Sequence, residues 1–241
     1  MRAFGAALLA MGVLAAASSA AASTLSVAPI RVELSSATRT AVLTVRNQDD
    51  APVTVQARPQ AWSQPEGAEL LEDTRDLLVT PPIFTIAPKS QQVLRIALTR
   101  APDPARELDY RLVLTELPPA TPAESTGLKV ALRITLPVFV AAQMRAAPDV
   151  AWTHQWGADG TLRIDALNRG TAHIQILDFD VRSGGRTVQG LHTDAAHYLL
   201  PGTRVHWDLH PTAPLDRGGE LRIQGHSDAG DFTVTSSPGA P

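Results

Sequence analysis

Leu128-Lys129-Val130-Ala131-Leu132-Arg133-Ile134-Thr135-Leu136 alternates without a break. In an extended chain Leu128, Val130, Leu132, Ile134 and Leu136 fall on one face, and Lys129, Ala131, Arg133 and Thr135 fall on the other. By itself this describes a half-buried β-strand. The segment before it, Ala120 to Gly127, is rich in Pro, Ala, Ser and Thr, so the strand can sit at the edge of a sheet. An edge strand with a long apolar row is an aggregation hazard unless something pairs with it. Adding such a strand to the sheet of another protein, β-augmentation, is one way in which it finds a partner.

The same two-residue period extends back towards the N-terminus. Thr40 to Asn47 places Ala41, Leu43 and Val45 against Val42, Thr44 and Arg46. Val53 to Trp62 and Gln91 to Thr99 alternate likewise, and Thr24 to Leu34, Leu77 to Thr80, Ile83 to Ile86 and Tyr110 to Leu117 complete the set. Pro81-Pro82 and Pro118-Pro119 stop strands, because proline cannot donate to a ladder. Glu66 to Asp76 is acidic and reads as a loop. About seven short strands, with turn signals every 8–12 residues, describe an immunoglobulin-like sandwich.

Ala141 to Asp149 reads as a linker, and a second set of strands follows. Val150 to Trp156, Leu162 to Asn168, His173 to Val181, Thr187 to Leu191, Arg204 to Leu209, Glu220 to Gly225 and Phe232 to Thr235 carry the β pattern. Asn168-Arg169-Gly170, Ser183-Gly184-Gly185 and Pro201-Gly202 read as turns, and Ser236 to Pro241 as a disordered tail. The fold class is all-β, with two immunoglobulin-like sandwich domains.

The first residues have the layout of a secretory signal peptide: Arg2, an apolar run from Ala6 to Ala17, then Ala20-Ala21-Ala22 as a cleavage site. That run is shorter than the roughly 20 apolar residues that span a bilayer. Roughly 220 residues would remain, enough for two domains. The expected division is 1–22 signal peptide, 23–143 first domain with the alternating strand, and 144–241 second domain with a flexible tail. The formal net charge of −3 offers no nucleic-acid footprint. With no cysteine in the chain, stability must come from core burial alone.

No pattern for an enzyme stands out. No phosphate loop, nucleophile elbow or Ser-His-Asp arrangement is present. His173, His192, His197, His206 and His210 match no metal-ligand spacing and read as scattered surface residues. Glu69, Glu72, Asp73 and Asp76 read as a solvated loop. No cofactor, metal or small-molecule substrate is expected.

The ordered segments of the first half resemble the PapD-like periplasmic pilus-assembly chaperones, and more closely the archaic branch associated with spore-coat-U-like pilins. The resemblance is carried by Ser26-Val27-Ala28-Pro29-Ile30-Arg31-Val32, by Thr80-Pro81-Pro82-Ile83-Phe84 with Ile86-Ala87-Pro88, by Tyr110 to Pro119 with its Glu116-Leu117-Pro118-Pro119 ending, and by Leu128 to Val140. It covers most of residues 24–140. In the second half Asn168-Arg169-Gly170 and Tyr198-Leu199-Leu200-Pro201-Gly202 fit more weakly.

The resemblance implies a boomerang of two immunoglobulin-like domains that lends a strand to an incomplete pilin subunit. It also implies that the protein clamps the pilin C-terminal carboxylate, works in the periplasm and delivers the subunit to an outer-membrane usher. It implies Arg31 as the carboxylate anchor. The family's second anchor is usually a Lys in the donor strand, followed by a Lys-Leu-Phe-Tyr-Arg-Pro-like ending. Here that ending is Thr135-Leu136-Pro137-Val138-Phe139-Val140, which breaks the pattern. Arg133 is the nearest basic residue of suitable position, with Lys129 in reserve and Arg111 as a further candidate. Leu128, Val130, Leu132 and Ile134 would be the donor residues, and the free protein could self-associate through them. The alternative is a secreted immunoglobulin-like structural or carbohydrate-binding adhesive module. Such a module would present exposed aromatics, whereas Trp62, Trp152, Trp156 and Trp207 lie in alternating strands and read as core.

Overall fold

The structure is a computed structural model of the chain. It describes residues 25–117, 131–183, 186–193, 196–212 and 220–238, apart from the side chains of 186–191. The signal-peptide segment, Leu128, Lys129, Val130 and the loop before them, the Gly184-Gly185 turn and the last three residues lie outside the described residues.

Ten strands build the first half: β1 (Leu25–Ala28), β2 (Val32–Leu34), β3 (Thr40–Asn47), β4 (Val53–Ser63), β5 (Leu70–Asp73), β6 (Leu77–Thr80), β7 (Ile83–Ile86), β8 (Gln91–Leu98), β9 (Leu108–Leu117) and β10 (Arg133–Val140). They form two sheets. One runs β1-β3-β8-β6, and the other runs β2-β10-β9-β4-β5 with β7 also on β4. Alternation explains the burial: Leu43, Val45, Leu94 and Ile96 point inward from the first sheet and meet Val55, Leu112, Leu114 and Val138 of the second. Each such side chain contributes about 1.5–3 kcal/mol on burial.

The expected first strand, Thr24 to Leu34, is divided in two. β1 pairs with β3 in one sheet, and after Pro29 β2 pairs with β10 in the other. The acidic segment is a correction. Leu70–Asp73 is a strand paired with β4, because Trp62 and Leu71 of the pair bury against the second domain.

The second half holds β11 (Val150–Trp156), β12 (Leu162–Asn168), β13 (Ile174–Ser183), β14 (Arg186–Thr193), β15 (His197–Leu199), β16 (Arg204–Leu209), β17 (Leu221–Ser227) and β18 (Gly230–Pro238). Its strands share one hydrogen-bonded path, β14-β13-β17-β18-β11-β12-β16, with β15 on β13. The path is continuous because β18 pairs with β17 along its length and reaches β11 through Ser237 and Pro238. This also corrects the expected tail. Residues up to Pro238 are strand, and Ser236 is buried with its hydroxyl 2.8 Å from Nδ1 of His154. Trp152, Phe179 and Trp207 interlock in the core, with ring centroids 5.0–5.9 Å apart. Among the described residues no helix is long and apolar enough to cross a membrane.

The turn after β12 sets the junction between the halves. The buried side chain of Asn168 donates to the carbonyls of Ala172 and Leu199 and accepts from the amides of Asp149 and Gly170. Gly170 is required there, since a Cβ would stand 2.3 Å from the carbonyl oxygen of Ala147 and 2.5 Å from the amide of Asp149.

Candidate functional site at the domain junction

Arg31 sits where the chain leaves the first sheet for the second. Its Nη1 donates to Oδ2 of Asp228, 2.8 Å away in the turn between β17 and β18. Its Nε lies 3.0 Å from Oε1 of Glu33, and its guanidinium is 5.1 Å from the ring centroid of Phe139. A guanidinium carries five N–H groups and stays charged. About a third of the side chain is exposed, along a cleft of roughly 370 Å³ lined by Arg31, Glu33, Leu34, Phe139, Glu107 and His173, among others.

His173 is the correction among the histidines. Its side chain is only 7% exposed, because the segment that Asn168 organises carries it into the junction. The imidazole stacks on Phe139, with centroids 3.5 Å apart and planes 8° apart. Nδ1 is 2.5 Å from Oε1 of Glu107, which also accepts the His173 amide. Nε2 is 3.6 Å from Oδ2 of Asp228.

Burial alone would lower the His173 pKa, but the carboxylates of Asp228 and Glu107, one in ion-pair range and one hydrogen-bonded, raise it further than burial depresses it. Burial works against the Asp228 carboxylate too, yet His173, the Gln175 amide and Arg31 hold it below the usual range. Asp109 is nearly enclosed beside Glu107, and burial together with that like charge pushes it up to about 8. Among the described residues Glu107, Asp109 and His173 are the three potential ligand atoms within 4.8 Å of one another. Within the trio, Nδ1 of His173 and Oε1 of Glu107 face each other as an ion pair.

A second set of contacts flanks the first. Trp62, Phe139 and Leu200 form a small apolar cluster with Leu71 and Tyr198 against it. The guanidinium of Arg111 lies 3.6 Å from the Trp62 ring centroid and 5.5 Å from that of Tyr198, and it binds Glu69 at 2.9 Å. Burial raises the Tyr198 hydroxyl above its ordinary pKa, while the charges of Arg31 and Arg111 oppose that shift. Gln64 fastens the halves: its Nε2 donates to the carbonyl of Tyr198, and its Oε1 accepts from the Leu200 amide and the Thr203 hydroxyl. Arg106 donates to the carbonyl of Pro201.

β10 runs from this junction outward. The register pairs Val138 with Val32, so Arg133 lies five residues further along. At ~3.3 Å per residue that is ~17 Å from the neighbour of Arg31. Arg31 and Arg133 are therefore not side by side. Arg111, opposite Pro137, is the cation that joins Arg31 near Tyr198.

Leu132 accepts the amide of Glu116, which makes Leu132, Ile134 and Leu136 the positions bonded to β9. Arg133, Thr135 and Pro137 then turn their main chain away from β9. Pro137 is accommodated because its missing N–H faces that outer edge. β2 covers the edge only from Val138 onward, and among the described residues no strand pairs with it from Arg133 to Pro137. Arg133 is exposed, Leu132 is half-buried, and Ile134 packs partly on the first domain's own core.

Sequence reasoning missed Glu107, His173, Asp228 and Gln64, which meet only through the packing of the two halves. The one usable signal was Asn168-Arg169-Gly170, a turn whose buried Asn positions His173. The acidic residues are also structured: Glu69 binds Arg111, Asp73 binds Arg58, and Asp76 binds Tyr110 and Arg100. Trp62 belongs to the junction, while Trp152 and Trp207 fill the second core.

Residues 24–143 match the family model described as pili and flagellar-assembly chaperone, PapD N-terminal domain. No curated protein matches the chain. Among solved structures, the chain is similar to one from the CsuC–CsuE chaperone–tip adhesion subunit pre-assembly complex of archaic chaperone-usher Csu pili of Acinetobacter baumannii. That match has 15% identity and a TM-score of 0.67, and covers 90% of this chain and 100% of the other. A structure of the Salmonella enterica SafA pilin with the SafB chaperone matches at 19% identity and a TM-score of 0.59, over 89% of this chain and 96% of the other. The E. coli chaperone DraB matches at 21% identity and a TM-score of 0.58, over 90% and 97%. At these identities the likeness carries the fold.

Proposed function

Since the chain belongs, through residues 24–143, to the PapD N-terminal domain family of pili and flagellar-assembly chaperones, we propose that it is a periplasmic chaperone that holds pilin subunits by donor-strand complementation and passes them to an outer-membrane usher. The observation that carries this reading is the outer edge of β10. From Arg133 to Pro137 no strand among the described residues pairs with it, and it continues an apolar row that starts at Leu128. An incomplete sandwich leaves its own core groove and ladder groups unmet, so lending a strand satisfies both partners. Leu128, Val130 and Leu132 supply the apolar residues, and Ile134 contributes the part that its own core leaves uncovered.

Arg31 anchors the subunit's C-terminal carboxylate, because it is a fixed cation at the rim of the cleft. The second contact was expected at Arg133. The β10 register favours Arg111 for a shared carboxylate and leaves Arg133 to the strand's outer end. A charge-assisted hydrogen bond to a carboxylate contributes roughly 1.5–3 kcal/mol. The chain works without enzymatic chemistry, and residues 1–22 direct its export. The domain division falls near residue 143, within the 141–149 linker. The adhesive alternative is disfavoured because Trp62, Trp152 and Trp207 are buried.

Co-expression with a candidate pilin, affinity capture and size-exclusion chromatography test this. A one-to-one complex, with the pilin degraded when the protein is absent, is the expected result. Pilin that survives alone and never co-elutes, across the candidate pilins of the same organism, would overturn it.

A further inference from the structure

The contacts Glu107–His173–Asp228–Arg31 cross between the two halves twice. Glu107 and Arg31 belong to the first half, and His173 and Asp228 to the second. We propose that His173 is a positioning residue for Arg31, holding Asp228 and through it the guanidinium in place, and that it does so only as the imidazolium. This rests on the reading of Arg31 as the carboxylate anchor.

The argument is one of hydrogen count. Both ring nitrogens of His173 face carboxylates: Nδ1 faces Oε1 of Glu107 at 2.5 Å, and Nε2 faces Oδ2 of Asp228 at 3.6 Å. The imidazolium has an N–H for each. A neutral ring has one, so either tautomer sets a lone pair against a carboxylate. The ring cannot easily turn away, because it lies flat on Phe139 and is 93% buried. Loss of the proton therefore weakens one arm of the chain. Asp228 has its other oxygen, Oδ1, fixed by the Gln175 amide, so Oδ2 is the atom shared between His173 and Arg31.

The charged and titratable groups around the ring come from every element packed on it. Glu107 precedes β9, Asp109 is on β9, and Arg31 stands before β2. Asp228 is in the β17–β18 turn, and Tyr198, on β15, has its ring 5.9 Å away. Arg106 acts on Asp109 from the same approach to β9. Burial and Arg31 oppose the charge on His173, but Asp228 and Glu107 outweigh them and its pKa is raised. The coupling is therefore complete below about pH 6.5, the ordinary value, and is lost as pH rises through the raised one. Ionisation of Asp109, held up to about 8, adds negative charge nearby that favours the imidazolium.

The test is an NMR titration of the full exported chain from about pH 5.5 to 9.5, following the His173 ring and the Arg31 Nε–H resonance. It is paired with binding of a synthetic peptide of alternating apolar residues ending in a free carboxylate, and of its amidated form. In the wild type the Arg31 resonance is expected to move with the His173 midpoint. Preference for the carboxylate peptide is expected to fall about tenfold over the same range. His173→Gln should hold the Arg31 resonance at its high-pH position throughout, and Asp228→Asn should lower the His173 midpoint. An Arg31 resonance that ignores His173 titration in the wild type, or that keeps its pH dependence in His173→Gln, would overturn the proposal. If the wild type binds neither peptide at any pH, the anchor reading fails, and the Arg31 resonance still decides the positioning claim.

Discussion

His173 of the second domain lies flat on Phe139 of the first, 3.5 Å between centroids, and the Arg31 guanidinium is 5.1 Å from the same Phe139 ring. Phe139 is the penultimate residue of β10, and at the opposite end of that strand no other strand among the described residues covers the outer edge. The junction between the halves and the strand offered to a partner are thus two ends of β10.

Phe139→Ala should destabilise the protein by about 3–5 kcal/mol, the usual range for a buried Phe. It should also loosen the two halves, since Trp62, Leu200, Tyr198 and His173 all meet that ring. Urea unfolding measures the first effect, and small-angle scattering measures the second as a broader distance distribution.

Asp109→Asn should stabilise the chain at pH 8 and change little at pH 4. Asp109 is held protonated up to about 8, while in the unfolded chain it ionises near 4. Between those values the folded state binds the extra proton, so stability falls as pH rises, by at most about 1.4 kcal/mol per pH unit. An amide keeps the donor that faces Glu107 and removes this loss. The check is the difference in unfolding free energy between variant and wild type across the same pH range.

Arg31→Ala should leave the fold intact, at a cost of about 1 kcal/mol or less for a partly exposed ion pair. Subunit capture should weaken by at least about tenfold, read by co-elution with pilin. Normal pilin recovery would remove Arg31 from the anchor.

Arg111→Ala and Arg133→Ala separate the two candidates for the second contact. The register predicts that Arg111→Ala weakens binding of a carboxylate-ended peptide relative to its amide, while Arg133→Ala lowers affinity for both about equally. Arg111 also stacks on Trp62, so its loss should cost about 1 kcal/mol of stability besides.

The strands were legible because alternation is a local property. Thr40–Asn47 and Leu77–Thr80 are strands with the bounds that their patterns imply. Four features were not legible, each for a long-range reason. Leu70–Asp73 looks like an acidic loop, and only the burial of Leu71 across the junction explains its pairing with β4. Ser236 has the composition of a tail, and it is the His154 contact that buries it. For the site, Arg31 is singled out by the resemblance of its segment, but its distance from Arg133 depends on the β2–β10 register, which no local pattern encodes. His173 looks like any surface histidine until Glu107 and Asp228 arrive from segments 66 and 55 residues away in the chain.

The most direct test of strand lending is backbone hydrogen exchange of β10, in the free protein and in the purified complex with its pilin. The account predicts that the amides of Arg133 and Thr135, which face away from β9, exchange quickly in the free protein and become strongly protected in the complex, while those of Ile134 and Leu136 are protected in both. Equal exchange at Arg133 and Thr135 in the two states would mean that the pilin is held by some other surface, and would contradict donor-strand complementation by this protein.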